Sequence, residues 1–315
     1  MKGISFIPSD THIPFIRYRM VPIIMSALAV LASLVLFFTV DLNYGIDFRG
    51  GTLIEIRDKS GPANLADLRA RVGGLGLGDV QIQEFGQPSD VLIRIEAQPG
   101  GEANQQKAIE KIKAELGDSV DYRRVEVVGP TVSGELKVSG TIAVVVAILA
   151  VLIYIWFRFE WQFALGAVLA LVHDVVLTIG IFCLLQIEFN LSIIAAILTI
   201  VGYSLNDTVV VYDRVRENLR KYKKMDLAEL LDLSINETLS RTIMTSVTTL
   251  IALLALYVFG GEVIRGFTFA MIWGVIVGTY SSIFVASPLL LVLGIKRDWS
   301  GYGGAKVKEK VPGSG

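Results

Sequence analysis

The sequence predicts an α-helical polytopic membrane protein with six transmembrane helices and one extracytoplasmic α+β domain between the first two. Three observations point there. The 315 residues are 53% hydrophobic and only 19% charged, where soluble domains average about 25% charged. Six stretches approach the roughly 20 mainly apolar residues that a helix needs to cross a bilayer. The long hydrophilic stretch after the first of them alternates strand and helix signals.

The spans fall at 20–40, 139–157, 162–185, 190–212, 240–260 and 267–293. The first follows basic residues, as a signal peptide would, but it is of full spanning length and no small-x-small cleavage pattern follows it. It is read as an uncleaved span. Orientation follows from the bases near the span ends. Lys2, Arg17 and Arg19 precede the first span, and Arg158 sits between the second and third. Arg214, Arg216, Arg220, Lys221, Lys223 and Lys224 crowd the loop between the fourth and fifth, and Lys296, Arg297, Lys306, Lys308 and Lys310 occupy the tail. On the other side, the loop at Glu188 has no base and the 261–266 turn has only Arg265. The predicted cytoplasmic segments are therefore 1–19 and 294–315, and 41–138 lies on the periplasmic side.

Within 41–138, Thr52 to Arg57 reads as a strand and Asn64 to Val72 as a helix. Gly73, Gly74, Gly76 and Gly78 then interrupt the chain. Val80 to Phe85 and Val91 to Ala97 read as strands joined through a hairpin loop at 86–90. A helix from Gln105 to Leu116 and a strand from Tyr122 to Val128 complete a βαββαβ order. That order suits a ferredoxin-like domain, or more plainly a small α+β domain. Cys183 is the sole cysteine, so no disulfide framework supports it.

Ionisable residues inside the spans are the main functional signal, because a charge at the bilayer centre costs at least ~2.5–3.5 kcal/mol. The fourth span carries Ser204, Asn206, Asp207 and Thr208. The third carries His173 and Asp174, with Thr178 a turn beyond. The fifth opens with Arg241, and the spacing of Thr245, Thr248 and Thr249 places three hydroxyls on the same helix face. Spans four and five share one loop, so antiparallel packing sets Asp207 and Arg241 at similar depth. Two readings compete: a buried bridge that fixes helix register, or a carboxyl that binds and releases a proton, its affinity set by Arg241. His173 and Asp174 divide likewise between holding helices together and joining a polar network with Ser204, Asn206 and Thr245. Asp213 and Arg214 lie at the membrane boundary, where snorkelling explains them. In the sixth span Gly266, Ala270, Gly274, Gly278, Ser282 and Ala286 recur every four residues, a ridge for close helix packing.

The chain has no G-x-x-x-x-G-K-[ST] stretch for nucleotide phosphates, no H-E-x-x-H and no Cys/His cluster. With His12 and His173 its only histidines, no catalytic triad can be argued. No enzymatic role, cofactor or metal is expected, and protons are the expected coupling ion.

Longer motifs carry a resemblance. Tyr44-Gly-Ile-Asp-Phe-Arg-Gly-Gly51, with Gly45, Asp47, Arg49, Gly50 and Gly51, is similar to the signature that opens the periplasmic part of SecD and SecF proteins. Val201-Gly-Tyr-Ser-Leu-Asn-Asp207, Val211-Tyr-Asp-Arg-Val-Arg-Glu-Asn218 and Ser240-Arg-Thr-Ile-Met-Thr-Ser246 resemble spans four and five of the SecF branch. The short outer segment also resembles that branch. The resemblance covers about 10–300 and implies an RND-type, proton-driven accessory of protein export. It implies a location in the bacterial inner membrane, beside a SecD-like subunit and the SecYEG channel, acting on exported preproteins. It places the essential intramembrane acid on Asp207 and its partner on Arg241. An RND-type exporter of small molecules, or a scaffold whose buried charges only fix assembly, are the rival expectations. Glycines 50 and 51 have a structural role as well, easing a sharp entry into the first strand.

Overall fold

The computed structural model describes residues 11–295. The predicted basic tail after Ile295, and Lys2, lie outside the described residues. The chain opens with the apolar helix α1 (Met20–Thr39), then a single turn, α2 (Ile46–Arg49), which leads through Gly50 into strand β1 (Gly51–Asp58). There follow α3 (Leu65–Gly73), β2 (Val80–Phe85), β3 (Gln87–Ile95), α4 (Glu102–Leu116) and β4 (Val120–Val128). Asn64 caps α3, its side chain accepting from the amides of Ala66 and Asp67, which satisfies two of the amides left free at a helix start.

The four strands form one antiparallel sheet of order β2-β3-β1-β4. Its alternating residues Ile54, Ile56, Ile93 and Ile95 are fully buried beneath Leu68 and Val72 of α3 and Ile112 and Leu116 of α4. At about 1.5–3 kcal/mol per buried aliphatic side chain, this face holds the unit together. The opposite face carries Leu53 and Leu92 among charged residues and looks onto the helical bundle. One expectation needs correcting. Residues 87–90, assigned to a hairpin loop, belong to β3, because Gly86 at φ +83° lets Phe85 pair directly with Gln87.

The remaining helices are α5 (Pro130–Arg158), α6 (Trp161–Leu185), α7 (Leu191–Lys221), α8 (Leu227–Phe259) and α9 (Arg265–Ser281), the last continuing through a π-helical turn, Ser282–Ala286, into α10 (Ser287–Val292). Six helical stretches are long and apolar enough to cross a membrane. Three of them outrun the predicted spans: α5 starts at Pro130 rather than 139, α7 reaches Lys221 rather than 212, and α8 starts at Leu227 rather than 240. Hydropathy marks only the bilayer-length part, while capping and pairing extend a helix into water. Pro130 suits a first turn, where its missing N–H costs nothing, and Asp226 caps α8 by accepting from the Ala228 amide at 2.9 Å. The α7 extension is laced by Arg214 to Glu217 and Glu237, and Asp213 pairs with Arg158 at 3.0 Å.

Helices α6, α7 and α9 form the bundle interior, whereas α1, α5 and α8 stay mostly exposed. The small-residue ridge of α9 lies against α7. A methyl at Gly274 would stand 2.3 Å from the Ile200 side chain, and one at Gly278 would stand 2.9 Å from Ser204 Cβ.

Candidate functional site

Close contact between α7 and α9 brings two carboxyl groups within reach of one pair of serines. Asp207, midway along α7, is 8% exposed. Its Oδ1 accepts from Thr242 Oγ1 of α8 at 2.5 Å, and its Oδ2 accepts from Ser282 Oγ at the head of the π-turn. Asp174, on α6, is 1% exposed. Its Oδ2 accepts from Ser204 Oγ at 2.6 Å and from Ser281 Oγ at 2.8 Å, and its Oδ1 meets His173 Nδ1 at 2.9 Å. Ser204 and Asp207 are three residues apart on one face of α7, just as Ser281 and Ser282 are consecutive on α9. Both acids therefore stand on one polar seam between α6, α7, α8 and the end of α9.

The seam continues on each side. Ser246 of α8 bonds Thr279 of α9 at 2.7 Å. His173 stacks on Tyr280, whose hydroxyl reaches the Pro22 carbonyl and Ser26 of α1. Among the described residues His173 Nε2 is buried with no partner, an uncommon state for a polar atom and one that recurs at working sites. Thr178 turns its hydroxyl back onto the Asp174 carbonyl.

Several expected residues sit elsewhere. Arg241 is exposed. Among the described residues it forms no ion pair with the Asp207 carboxyl. The depth expectation holds, since Thr242, the next residue, bonds Asp207. Arg241, Thr245 and Thr248 do share one face of α8, but that face turns away from Asp207. Successive helix residues turn about 100° apart, so Thr242 and Ser246 point inward while Arg241, Thr245 and Thr248 point out of this chain. Thr245 bonds the Thr242 carbonyl of its own helix, and Asn206 is likewise exposed. Neither joins the seam.

Thr242, Ser246, Thr279, Ser281 and Ser282 are members that the sequence reading missed. The signal for the serines was their place in an apolar span, yet Ser282 was counted only as a small ridge residue. The π-turn that begins at Ser282 precedes Pro288, and Ser287 Oγ bonds the Ser282 carbonyl at 2.8 Å. Such turns mark functional positions in helices often enough to be noted.

The signature segment lies at the far end of α7. Gly45 N–H donates to the Phe189 carbonyl, and Phe189 N–H to the Asn43 carbonyl. Asp47 Oδ2 accepts from the Leu191 amide at 2.8 Å, in the first turn of α7. Gly50 and Gly51 take φ of +73° and +118°, conformations that suit glycine, so the sharp entry into β1 is as expected. Arg49 is exposed.

The comparisons agree with this architecture. Residues 108–296 match the model of the protein export membrane protein SecD/SecF C-terminal region, and 35–57 match the SecD/SecF GG motif. The chain is 48% identical to protein translocase subunit SecF of Cereibacter sphaeroides over 96% of this chain and 95% of that one. It is 46% identical to SecF of Vibrio alginolyticus over 93% and 94%. Protein translocase subunit SecDF of Brucella abortus is 47% identical over 94% of this chain, which spans 39% of that longer protein. The crystal structure of SecDF, a translocon-associated membrane protein from Thermus thermophilus, superposes with a TM-score of 0.82 at 35% identity, over 91% of this chain and 39% of that one. With a polar seam inside six apolar helices and SecF relatives matched over more than nine-tenths of their length, the chain belongs to the SecD/SecF family of protein export membrane proteins, on its SecF branch.

Proposed function

We propose that this protein is an accessory subunit of the Sec translocase that uses the proton gradient across the bacterial inner membrane to assist protein export. The observation that carries this reading is the placement of Asp207 and Asp174 on one seam of hydroxyls. A buried carboxyl that only fixed helix packing would need one good partner. Here each acid has at least two hydroxyl donors, and hydroxyls can both give and accept a proton. Asp207 is the proton-binding group, and Ser282 and Ser281 connect it with Asp174 and His173.

The α+β unit, ferredoxin-like in its strand order, lies between the first two spans on the periplasmic side, with both termini cytoplasmic. A SecD-like subunit covers the face of α8 that bears Arg241, Thr245 and Thr248. A charge left facing lipid is costly, and the SecDF relatives hold more than twice this chain's length. In the assembled complex Arg241 tunes Asp207 from that interface. The SecYEG channel and the exported preprotein are the remaining partners.

The test replaces Asp207 by Asn in the reconstituted complex, with proton conductance and export stimulation measured together. Loss of both, with assembly intact, is the expected result. Undiminished conductance in the assembled variant would overturn the reading.

A further inference from the structure

We infer that Asp47, together with the Arg94–Glu188 ion pair, is the link through which the sheet domain acts on the helix that carries Asp207. This deepens the proton-coupling reading and rests on it. The sheet domain is joined covalently to the bundle through α1 and α5, yet neither helix carries a seam carboxyl. The contact with the start of α7 is made by side chains and by a short backbone bridge, and it has two parts.

The first part is the signature segment. Asp47 lies directly ahead of β1, and its carboxylate takes the Leu191 amide, one of the four that a helix leaves free at its start. A negative charge there also complements the helix dipole. Tyr44 bridges Phe189 in parallel β fashion, so the chain that enters the sheet is stapled to the chain that enters α7.

The second part comes from the middle of the sheet. Arg94 of β3 pairs with Glu188 at 2.5 Å, with side chains only 12% and 24% exposed. Glu188 sits three residues ahead of α7. A methyl at Gly45 would stand 2.5 Å from Glu188 Oε1, so the glycine of the signature leaves the space in which that pair is made. The turn that leads into β1 and a strand in the middle of the sheet thus grip the same short run, 188–191.

That run continues as one helix. From Leu191 to Asp207 the rise is about 24 Å without a break at 1.5 Å per residue, and a packed helix moves as a unit. A shift of the sheet relative to the bundle therefore reaches Asp207 and Ser204 together, and with them both carboxyls of the seam. Asp47 and the Arg94–Glu188 pair act as positioning residues. None of them touches the seam.

Coupling residues of this kind have a signature that a merely structural role lacks: they separate proton flow from work. In the reconstituted complex, Asp47→Ala and Arg94→Ala are expected to lower export stimulation by about fivefold or more, the low end of ordinary coupling between sites, while proton conductance stays at the wild-type level. Asp47→Asn keeps an acceptor for the Leu191 amide and should retain most of the stimulation. The exchange of Arg94→Glu with Glu188→Arg should restore what either single reversal removes. Conductance and stimulation falling in parallel would overturn the inference, as would stimulation unchanged in Asp47→Ala and Arg94→Ala. Asp207→Asn run beside them separates the two levels. If its conductance is normal, the proton reading fails. The link is then judged by hydrogen exchange at the Leu191–Ile194 amides, which must quicken in Asp47→Ala and Arg94→Ala for the inference to survive.

Discussion

Ser281 and Ser282, neighbours in the chain, donate to different carboxyls: Ser281 to Asp174 and Ser282 to Asp207. In a regular helix two consecutive side chains point about 100° apart, enough to address two neighbouring helices. α9 is thereby wedged between α6 and α7 with one hydroxyl for each. The two acids need not touch to be connected. A rotation of this one segment changes the hydrogen bonding of both.

This arrangement predicts an order of effects. Ser282→Ala leaves Asp207 with Thr242 alone, whereas Ser281→Ala leaves Asp174 with Ser204 and His173. A hydrogen bond to an ionised group contributes about 1.5–3 kcal/mol, and each 1.4 kcal/mol is roughly tenfold in rate. Ser282→Ala should therefore lower proton conductance by about tenfold or more, and Ser281→Ala by clearly less. Conductance in vesicles containing each purified variant complex checks the order, and equal losses would count against it.

The approach of α9 to α7 rests on glycine. In Gly274→Ala the added methyl meets three carbons of Ile200, a residue only 1% exposed. Overpacking of this kind costs about 1–3 kcal/mol. The variant should melt at lower temperature in detergent, and adding Ile200→Val should return part of the loss by removing one of the crowded carbons. Thermal unfolding of the single and double variants reads both effects.

How much of this was legible in the sequence depends on what each feature rests upon. The spans and the βαββαβ order rest on local pattern and could be read. Asp207 could be read because an acid in an apolar helix stands out. The partners of Asp207 could not. Whether Arg241 or Thr242 faces it turns on one residue's rotation of α8, which packing against α7 and α9 decides. Ser281 and Ser282 carry no charge, so inside a span they resemble the small residues that merely allow helices to approach. The docking of Asp47 on Leu191 joins residues far apart in sequence, and no periodicity records it.

The two signature glycines should differ in what they tolerate. A methyl at Gly51 would stand 2.2 Å from the Ile95 carbonyl oxygen, backbone of the neighbouring strand, at φ +118°. At Gly50 the nearest atoms are 3.3 Å away, at φ +73°. Strained backbone alone costs about 1–3 kcal/mol, and the Gly51 clash adds to it because a strand cannot yield as a side chain can. Gly51→Ala should make the sheet domain protease-sensitive, while Gly50→Ala should leave it resistant at the same protease concentration. Limited proteolysis of the two variants in membranes gives the comparison.

The last prediction concerns pH at the contact between sheet and bundle. Burial, helped by the nearby Asp47 carboxylate, holds the Glu188 carboxyl above the usual glutamate range, while Arg94 of β3 and Arg124 of β4 pull it down by less. When the sheet lifts away and Glu188 meets water, its affinity returns to the ordinary value. The docked state therefore binds the proton more tightly, and by linkage protonation favours docking. The contribution is fully present below the ordinary glutamate value and is lost as pH rises through the higher, docked one. That sign runs against the intuition that neutralising half of an ion pair must open it. The reason is that the partly buried carboxylate gives up more hydration than Arg94 and Arg124 return to it. Hydrogen exchange at the Leu191–Ile194 amides, corrected for intrinsic pH dependence, should slow as the medium is acidified through this window. In Glu188→Gln, which cannot titrate, the same amides should show no such change. Faster exchange on acidification in the wild-type protein would reverse the sign and with it the assignment of burial as the dominant cause. In the proposed orientation this contact faces the acidic side of the proton gradient, so the gradient proposed to act on Asp207 would also hold the sheet domain against α7.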